Sequence, residues 1–260
     1  MTSISHKFIR RVLLTAMLSL LLASCLQKSD ALDRIYETGK LRVAMDPSFP
    51  PFEFVDEAGN AAGLDVDMAQ ELAHRMNVEA HFVTTTYDGL YDALTVGRAD
   101  VIISAIYPDQ SRTQDFVFTP PYFNAGEVLV VATNSPIDTL ADLSGQRISA
   151  VFGTAGHMEA MSWETLLDPS PTLTTHETIE EVLAALTNDE ADAIVMDNLS
   201  AQSAKAQGTS LRIVDPPLTD ESYVIAARSE DSALIEELTR HLQAMREDGN
   251  MDTLSAQWIH

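Results

Sequence analysis

From Leu41 onward, apolar runs of strand length alternate with stretches whose apolar residues recur at helical spacing, the pattern of an α/β fold with a largely parallel sheet. Strands are predicted at 41–45 (LRVAM), 80–84 (AHFVT), from Val101 through Ile103, at 128–132 (VLVVA) and at 147–151 (RISAV). Val66, Ala69, Leu72 and Met76 mark a helix, and further helices follow at about 88–96 and 153–167. Ile179, Val182, Leu183 and Leu186 mark another, and Leu234, Leu238, Leu242 and Met245 a C-terminal one. The stretch FEFVDEAGNAAGL reads as a hairpin turning through Gly59 and Asn60.

One segment recurs. ALTVGRADVIISA at 93–105 aligns without a gap on ALTNDEADAIVMD at 185–197, which suggests two lobes of similar design. The corresponding strands end at Ser104–Ala105 and at Met196–Asp197. In open α/β sheets ligands bind beyond the carboxyl ends of the strands. Two such lobes facing each other would therefore bring both ends to one cleft.

The N-terminus departs from the alternation. MTSISHKFIRR is a positive n-region and Val12–Ala23 an apolar h-region, and the uncharged span ends short of the ~20 residues that cross a bilayer. LASC at 22–25 resembles the bacterial lipoprotein signal box, which implies cleavage after residue 24 and lipidation of Cys25, with a tether over 25–34. A free or buried cysteine is the plainer alternative. Cys25 is the single cysteine, so the chain forms no internal disulfide.

Charge narrows the partners. Acidic residues outnumber basic ones 39 to 16, for a net −23. The first 24 residues hold three basic and no acidic side chains, so without them the charge is −26. Such a surface repels phosphate backbones, and nucleic acid is not an expected partner. His157 and Glu159 lie two apart and cannot share a helix face, the other histidines are scattered, and no phosphate or dinucleotide loop is present. No metal or cofactor is expected.

The strand ends carry complementary charges. Arg112, shortly after one end, offers a planar fork that matches a carboxylate, and Asp197, at the other, an acceptor for an ammonium. Together they suit the two charges of a free α-amino acid. GTAG at 153–156 opens a predicted helix whose free N–H groups near Thr154 and Ala155 would receive an anion. Phe49 and Phe52 follow the first strand, where an aromatic wall could stand. Simpler roles exist for each: Arg112 could pair with Asp115 on a surface turn, Asp197 could cap the next helix, and Phe49 and Phe52 could be core.

Six stretches in a fixed order (LRVAMDPSFPPFEF, GLDVDMAQELA, ADVIISAIYPDQSRTQDFVFTPPYF, GQRISAVFGTAG, ADAIVMDN and MREDGNMDTLSAQWI) resemble bacterial solute-binding proteins of the polar amino-acid type, which serve ABC importers. The resemblance runs from about Leu41 to the C-terminus. It implies a type II periplasmic-binding-protein fold: two lobes, each a mostly parallel sheet flanked by helices, joined by a two-strand hinge near Gly126 and Tyr223. Lobe 1 would comprise 35–124 and 224–260, and lobe 2 would comprise 125–223. It further implies a non-enzymatic, monomeric, extracytoplasmic protein, held at the membrane through Cys25, that hands an amino acid to an ABC permease. Arg112 matches the residue binding the ligand carboxylate and Asp197 the one binding its ammonium. Thr154 and Ala155 match the carboxylate turn, Phe49 and Val151 the facing walls, and Asp46 a side-chain contact, with Ala105 and Tyr107 also at the pocket. The family usually has a small hydroxyl residue at Tyr107, often Ser or Gly at Ala105, and a second hydroxyl at Ala155, so the pocket is altered. Some relatives on this fold are cyclohexadienyl dehydratases, the alternative reading.

Overall fold

A computed structural model describes residues 31–259; the signal segment, Cys25 and most of the tether lie outside the described residues. In chain order the strands are β1 (Lys40–Met45), β2 (Ser48–Phe49), β3 (Glu53–Val55), β4 (Ala61–Ala62), β5 (Glu79–Thr84), β6 (Val101–Ile106) and β7 (Phe116–Phe118). They continue as β8 (Phe123–Asn124), β9 (Glu127–Ala132), β10 (Arg147–Val151), β11 (Thr172–His176), β12 (Ala193–Asp197), β13 (Leu211–Val214) and β14 (Ser222–Arg228). The helices are α1 (Ala31–Thr38), α2 (Leu64–Arg75), α3 (Leu90–Thr95), α4 (Ala155–Leu166), α5 (Ile179–Thr187), α6 (Asn198–Ala206), α7 (Ser232–Glu247) and α8 (Asn250–Trp258).

Two sheets organise the chain. The first runs β5-β1-β6-β14-β7, with β8 also on β14, and the second runs β11-β10-β12-β9-β13. Each has three parallel strands: β1 lies between β5 and β6, and β10 between β11 and β12. The remaining strands join antiparallel, so the sheets are mixed rather than mostly parallel. The cause is connectivity. β9 enters the second sheet from the first, and β14 returns to the first, so neither follows the helical crossover that makes neighbours parallel. The two crossings run side by side, β8 pairing with β14 at Phe123↔Tyr223 and Asn124↔Ser222.

The unbroken apolar run of β6 follows from burial on both faces. Val101 and Ile103 pack with Leu72 of α2 and Leu238 and Leu242 of α7, while Ile102 and Ile106 pack with Leu90 and Leu94 of α3. Each such side chain, once fully buried, contributes roughly 1.5–3 kcal/mol relative to exposure.

The repeated segment is one structural unit used twice. Its helix ends at a left-handed residue, Gly97 (φ 72°) in the first lobe and Asp189 (φ 59°) in the second. The Asp that follows clasps an Arg near the start of the neighbouring strand, Arg42 in β1 and Arg147 in β10. Asp100 Oδ2 accepts the Arg42 backbone N–H at 2.9 Å and Nε at 3.2 Å, and Asp100 Oδ1 accepts Nη2 at 2.6 Å. Asp192 repeats this on Arg147 at 2.8, 3.0 and 2.6 Å. In both lobes Arg Nη1 then closes onto the carbonyl of the left-handed residue, Gly97 at 2.7 Å and Asp189 at 2.6 Å. Such charge-assisted forks register the strands. They place Ser104–Ala105 and Met196–Asp197 at equivalent carboxyl ends.

Candidate functional site

A cavity of about 340 Å³ opens at the carboxyl ends of β1, β5 and β6. Asp46 enters it directly after β1, Tyr87 after β5, and Ala105 and Tyr107 at the end of β6; the β2–β3 hairpin adds Phe49 and Glu53. Phe49 is 46 % exposed and stacks on the fully buried Phe52 at 5.7 Å between ring centres, so Phe49 is wall and Phe52 core. Tyr107, 45 % exposed, meets Tyr223 edge-on at 5.3 Å.

Beneath the cavity runs a hydrogen-bond chain. Ser104 Oγ accepts the Asp46 N–H at 3.0 Å and donates to Glu53 Oε1 at 2.8 Å. Asp65 Oδ2 accepts the Ala105 N–H and the Tyr122 hydroxyl, both at 2.8 Å. The Ala105 N–H also reaches the Tyr122 hydroxyl at 3.1 Å, and Ala105 lies in the left-handed region at φ 42°, where a non-glycine residue is strained. Glu53 and Asp65 are both buried and close enough to repel, and Glu53 Oε2 and Asp65 Oδ1 find no hydrogen-bond partner among the described residues. Burial, and then the like charge of Asp65, pushes Glu53 well above the carboxylate range; burial raises Asp65 as well. Neither residue was expected at the site from sequence. The sequence trace of Glu53 is a lone acid between two phenylalanines, and that of Asp65 an acid between Leu64 and Val66, one of two in the first turn of α2.

These shifts carry a pH dependence of known sign. A carboxyl whose folded pKa is raised binds more protons folded than unfolded, so its stabilisation is complete below the unfolded value and is lost as pH rises. Glu127, pushed up to about 7 by burial and then by Asp197, adds loss over the neutral range. Asp109, Asp142, Asp192 and Asp248 are shifted the opposite way by their hydrogen bonds, and their contribution disappears below the ordinary value of 3.8. Thermal stability is therefore expected to peak near about pH 4–5 and to fall toward pH 8. Glu53→Gln should flatten the fall. Melting temperatures of both proteins across pH 4–9 check this, and a wild-type rise toward pH 8 would contradict it.

Arg112 stands outside the cavity lining, at the end of a short 3₁₀ turn (Gln110–Arg112). Its Nε donates to Asp109 Oδ2 at 3.1 Å and its guanidinium lies 4.7 Å over the Tyr91 ring. Asp115, the partner considered from sequence, only donates its backbone N–H to the Arg112 carbonyl at 3.0 Å. An exposed ion pair of this kind contributes ~0–1 kcal/mol, so the guanidinium is readily released to another carboxylate.

The second sheet presents the remaining candidates. Val151 ends β10 and is half-buried. Thr154 caps α4: its Oγ1 accepts the His157 N–H at 3.2 Å and donates to the Val151 carbonyl at 2.8 Å, leaving Ala155 as the first helical residue. Asp197 caps α6, accepting the Ser200 N–H at 2.8 Å and its hydroxyl at 2.7 Å. Its neighbour across the β9–β12 pairing is Glu127, which is buried. Asp46, Phe49, Ala105 and Tyr107 thus meet at one cavity. Arg112, Val151, Thr154, Ala155 and Asp197 do not line it. Among the described residues no group of three or more His, Cys, Asp or Glu could hold a metal, and His157 Nδ1 accepts the Gly153 N–H at 3.1 Å instead.

Residues 41–260 match the model of the bacterial extracellular solute-binding proteins, family 3. The chain belongs to this family. A protein of Neisseria gonorrhoeae described as a probable histidine-binding protein is 30 % identical over 239 residues, covering 90 % of this chain and 88 % of that one. The crystal structure of a mutant of ArgBP from T. maritima is 36 % identical with a TM-score of 0.52, covering 88 % and 98 %. An ancestral cyclohexadienyl dehydratase superposes with a TM-score of 0.74 at 24 % identity, covering 89 % and 97 %, and shares the fold. The two-lobed type II periplasmic-binding-protein architecture expected from sequence is therefore the fold of this family 3 protein. It is a binding protein and not an enzyme, as its curated relatives are.

Proposed function

We propose that this protein captures an amino acid or close analogue outside the cytoplasm by hinge closure and delivers it to an ABC permease. The observation that carries the reading is the cavity at the carboxyl ends of β1, β5 and β6, with Arg112 a few residues past the end of β6 in an exposed pair with Asp109 and over Tyr91. Ligand docks on lobe 1 (35–124 with 224–260), its side chain in the cavity against Phe49, Asp46, Ala105 and Tyr107 and its carboxylate taken by Arg112. Lobe 2 (125–223) then closes, bringing Asp197 to the ammonium, the Thr154–Ala155 turn to the carboxylate and Val151 to the facing wall. Contacts made only on closure shift the population toward the closed state. The β8 and β14 crossings, lying side by side, suit a two-strand hinge. Relatives described as histidine- and arginine-binding support an amino-acid ligand.

A thermal-shift screen against amino acids and their analogues tests the reading. A ligand present at 100 times its Kd should add ~2.7 kcal/mol of stability, and absence of a shift with every compound would overturn it. The signal segment supports anchoring through lipid on Cys25. A labelled fatty acid should then appear on the wild-type protein in bacteria and be lost in Cys25→Ala; equal labelling of both would refute the anchor.

A further inference from the structure

Glu127 opens β9, directly after the Gly126 crossing between the two sheets, and only 8 % of it is exposed. Its backbone is fixed by the returning segment: the N–H donates to Thr219 Oγ1 at 2.8 Å and the carbonyl accepts the Leu218 N–H at 2.7 Å. The side chain is less settled. Its Oε2 finds no hydrogen-bond partner among the described residues. This oxygen lies against the first turn of α4, so closely that a Cβ on Gly156 would stand 2.6 Å from it. Asp197 is the direct partner of Glu127 in the antiparallel β9–β12 ladder, so both carboxyls project from one face of the sheet, with Cβ atoms about 4.5–5.5 Å apart. Glu127 thus stands between the two groups that lobe 2 offers a ligand, Asp197 and the turn at 154–155.

The surroundings disfavour two negative charges at this place. The charged groups facing Glu127 are Asp197 from β12, Glu159 from α4 and Glu221 from the segment entering β14, all of them acids. Helix α5 brings Glu180 and Glu181. Arg212 of β13 is held by Asp138 and by the Ser135 and Ile137 carbonyls, and Lys205 lies in the last turn of α6 while Asp197 caps its start. Burial, and then Asp197, lifts Glu127 to about 7, with the nearby Gly156 N–H pulling the other way. An ammonium brought to Asp197 reverses the balance, because a positive charge within ~4–6 Å favours the ionised carboxyl.

We propose that ligand capture at lobe 2 is an exchange of cations: the ligand ammonium arriving at Asp197 expels the proton of Glu127, which becomes a second carboxylate facing that ammonium. The O–H bond of Glu127 breaks, its electron pair stays on the carboxylate and the proton passes to water or buffer. One positive charge enters and one leaves. Glu127 is a positioning residue that sets affinity through Asp197. The exchange rests on the proposed binding mode, in which closure brings Asp197 to the ammonium. By linkage, a ligand that expels a proton binds more tightly as pH rises, until the free protein has itself lost that proton.

A thermal-shift screen of the proteinogenic amino acids other than histidine, which titrates in the same range, supplies the probe. Its tightest binder is then titrated calorimetrically into the purified protein at pH 6.5 in phosphate and in bis-Tris, which differ in ionisation enthalpy. The wild type should release about half a proton or more per ligand, and its Kd should be about fivefold or more weaker at pH 5.5 than at pH 7.5. Glu127→Gln should release none and bind equally at both pH values, near the weaker wild-type affinity. No release by the wild type, or equal release by Glu127→Gln, would overturn the exchange and leave the amino-acid reading standing; a screen without a binder would overturn both. If Glu127→Gln does not fold, the carboxyl ¹³C resonance of Glu127 decides. Its ionisation midpoint should fall in Asp197→Asn and on saturating the wild type with the same amino acid, and an unmoved midpoint would overturn the exchange.

Discussion

Replacing Arg112 with methionine is expected to abolish ligand-induced stabilisation while leaving the unliganded protein folded. The free-state cost is small because the Arg112 side chain is 49 % exposed in the Asp109 pair. Such a pair contributes ~0–1 kcal/mol, and the contact over Tyr91 roughly 0.5–1 kcal/mol at an exposed site. The bound state depends on Arg112 far more. A carboxylate enclosed between two lobes without its fork keeps its desolvation cost and loses the paired bonds, a change of about 2–5 kcal/mol. That is roughly thirtyfold to several-thousandfold in Kd. Calorimetry for affinity and thermal melting of the ligand-free variant for stability would measure both sides. Unchanged affinity would remove Arg112 from the site.

Asp197→Asn should separate two roles that coincide in one side chain. As an N-cap, Asn is nearly equivalent to Asp, so the Ser200 N–H remains satisfied and stability should move by only a few tenths of a kcal/mol. Removing the charge also relieves Asp197's repulsion of Glu127, the second cause of the raised Glu127 pKa, so stability above neutral pH should fall less steeply. Affinity should respond very differently. An ammonium buried on closure against a neutral amide loses its counter-charge, again about 2–5 kcal/mol. Asp197→Ala, by contrast, should lose the same affinity and also ~1 kcal/mol of stability with the cap. A variant that binds normally as Asn but weakly as Ala would make Asp197 a cap alone.

Much of this was legible because it is written in local pattern. Period-2 and period-3.6 apolar spacing is set by backbone geometry, so most strands and helices from Leu41 onward could be placed from sequence. The repeated Ala-Asp before β6 and β12 pointed to equivalent strand ends, and the structure supplies its cause in the Arg42–Asp100 and Arg147–Asp192 clasps. Phe49 and Phe52 are the same residue type three positions apart; the family resemblance put Phe49 alone at the wall, and burial gives the physical difference, one lying at a cavity mouth and the other beneath it. The mixed sheets were not legible, because strand direction depends on where β9 and β14 cross between lobes rather than on their own residues. Glu53, Asp65 and Glu127 were missed for a related reason. A lone acid in an apolar run reads as a solvated position until the fold encloses it, and only enclosure raises its proton affinity. The order of elements, the acidic surface and the residue types at strand ends were thus determined by sequence alone, through short-range geometry and charge. Which of those residues share a cavity, and which acids keep their protons, was decided by tertiary structure, since both depend on what distant segments exclude from water.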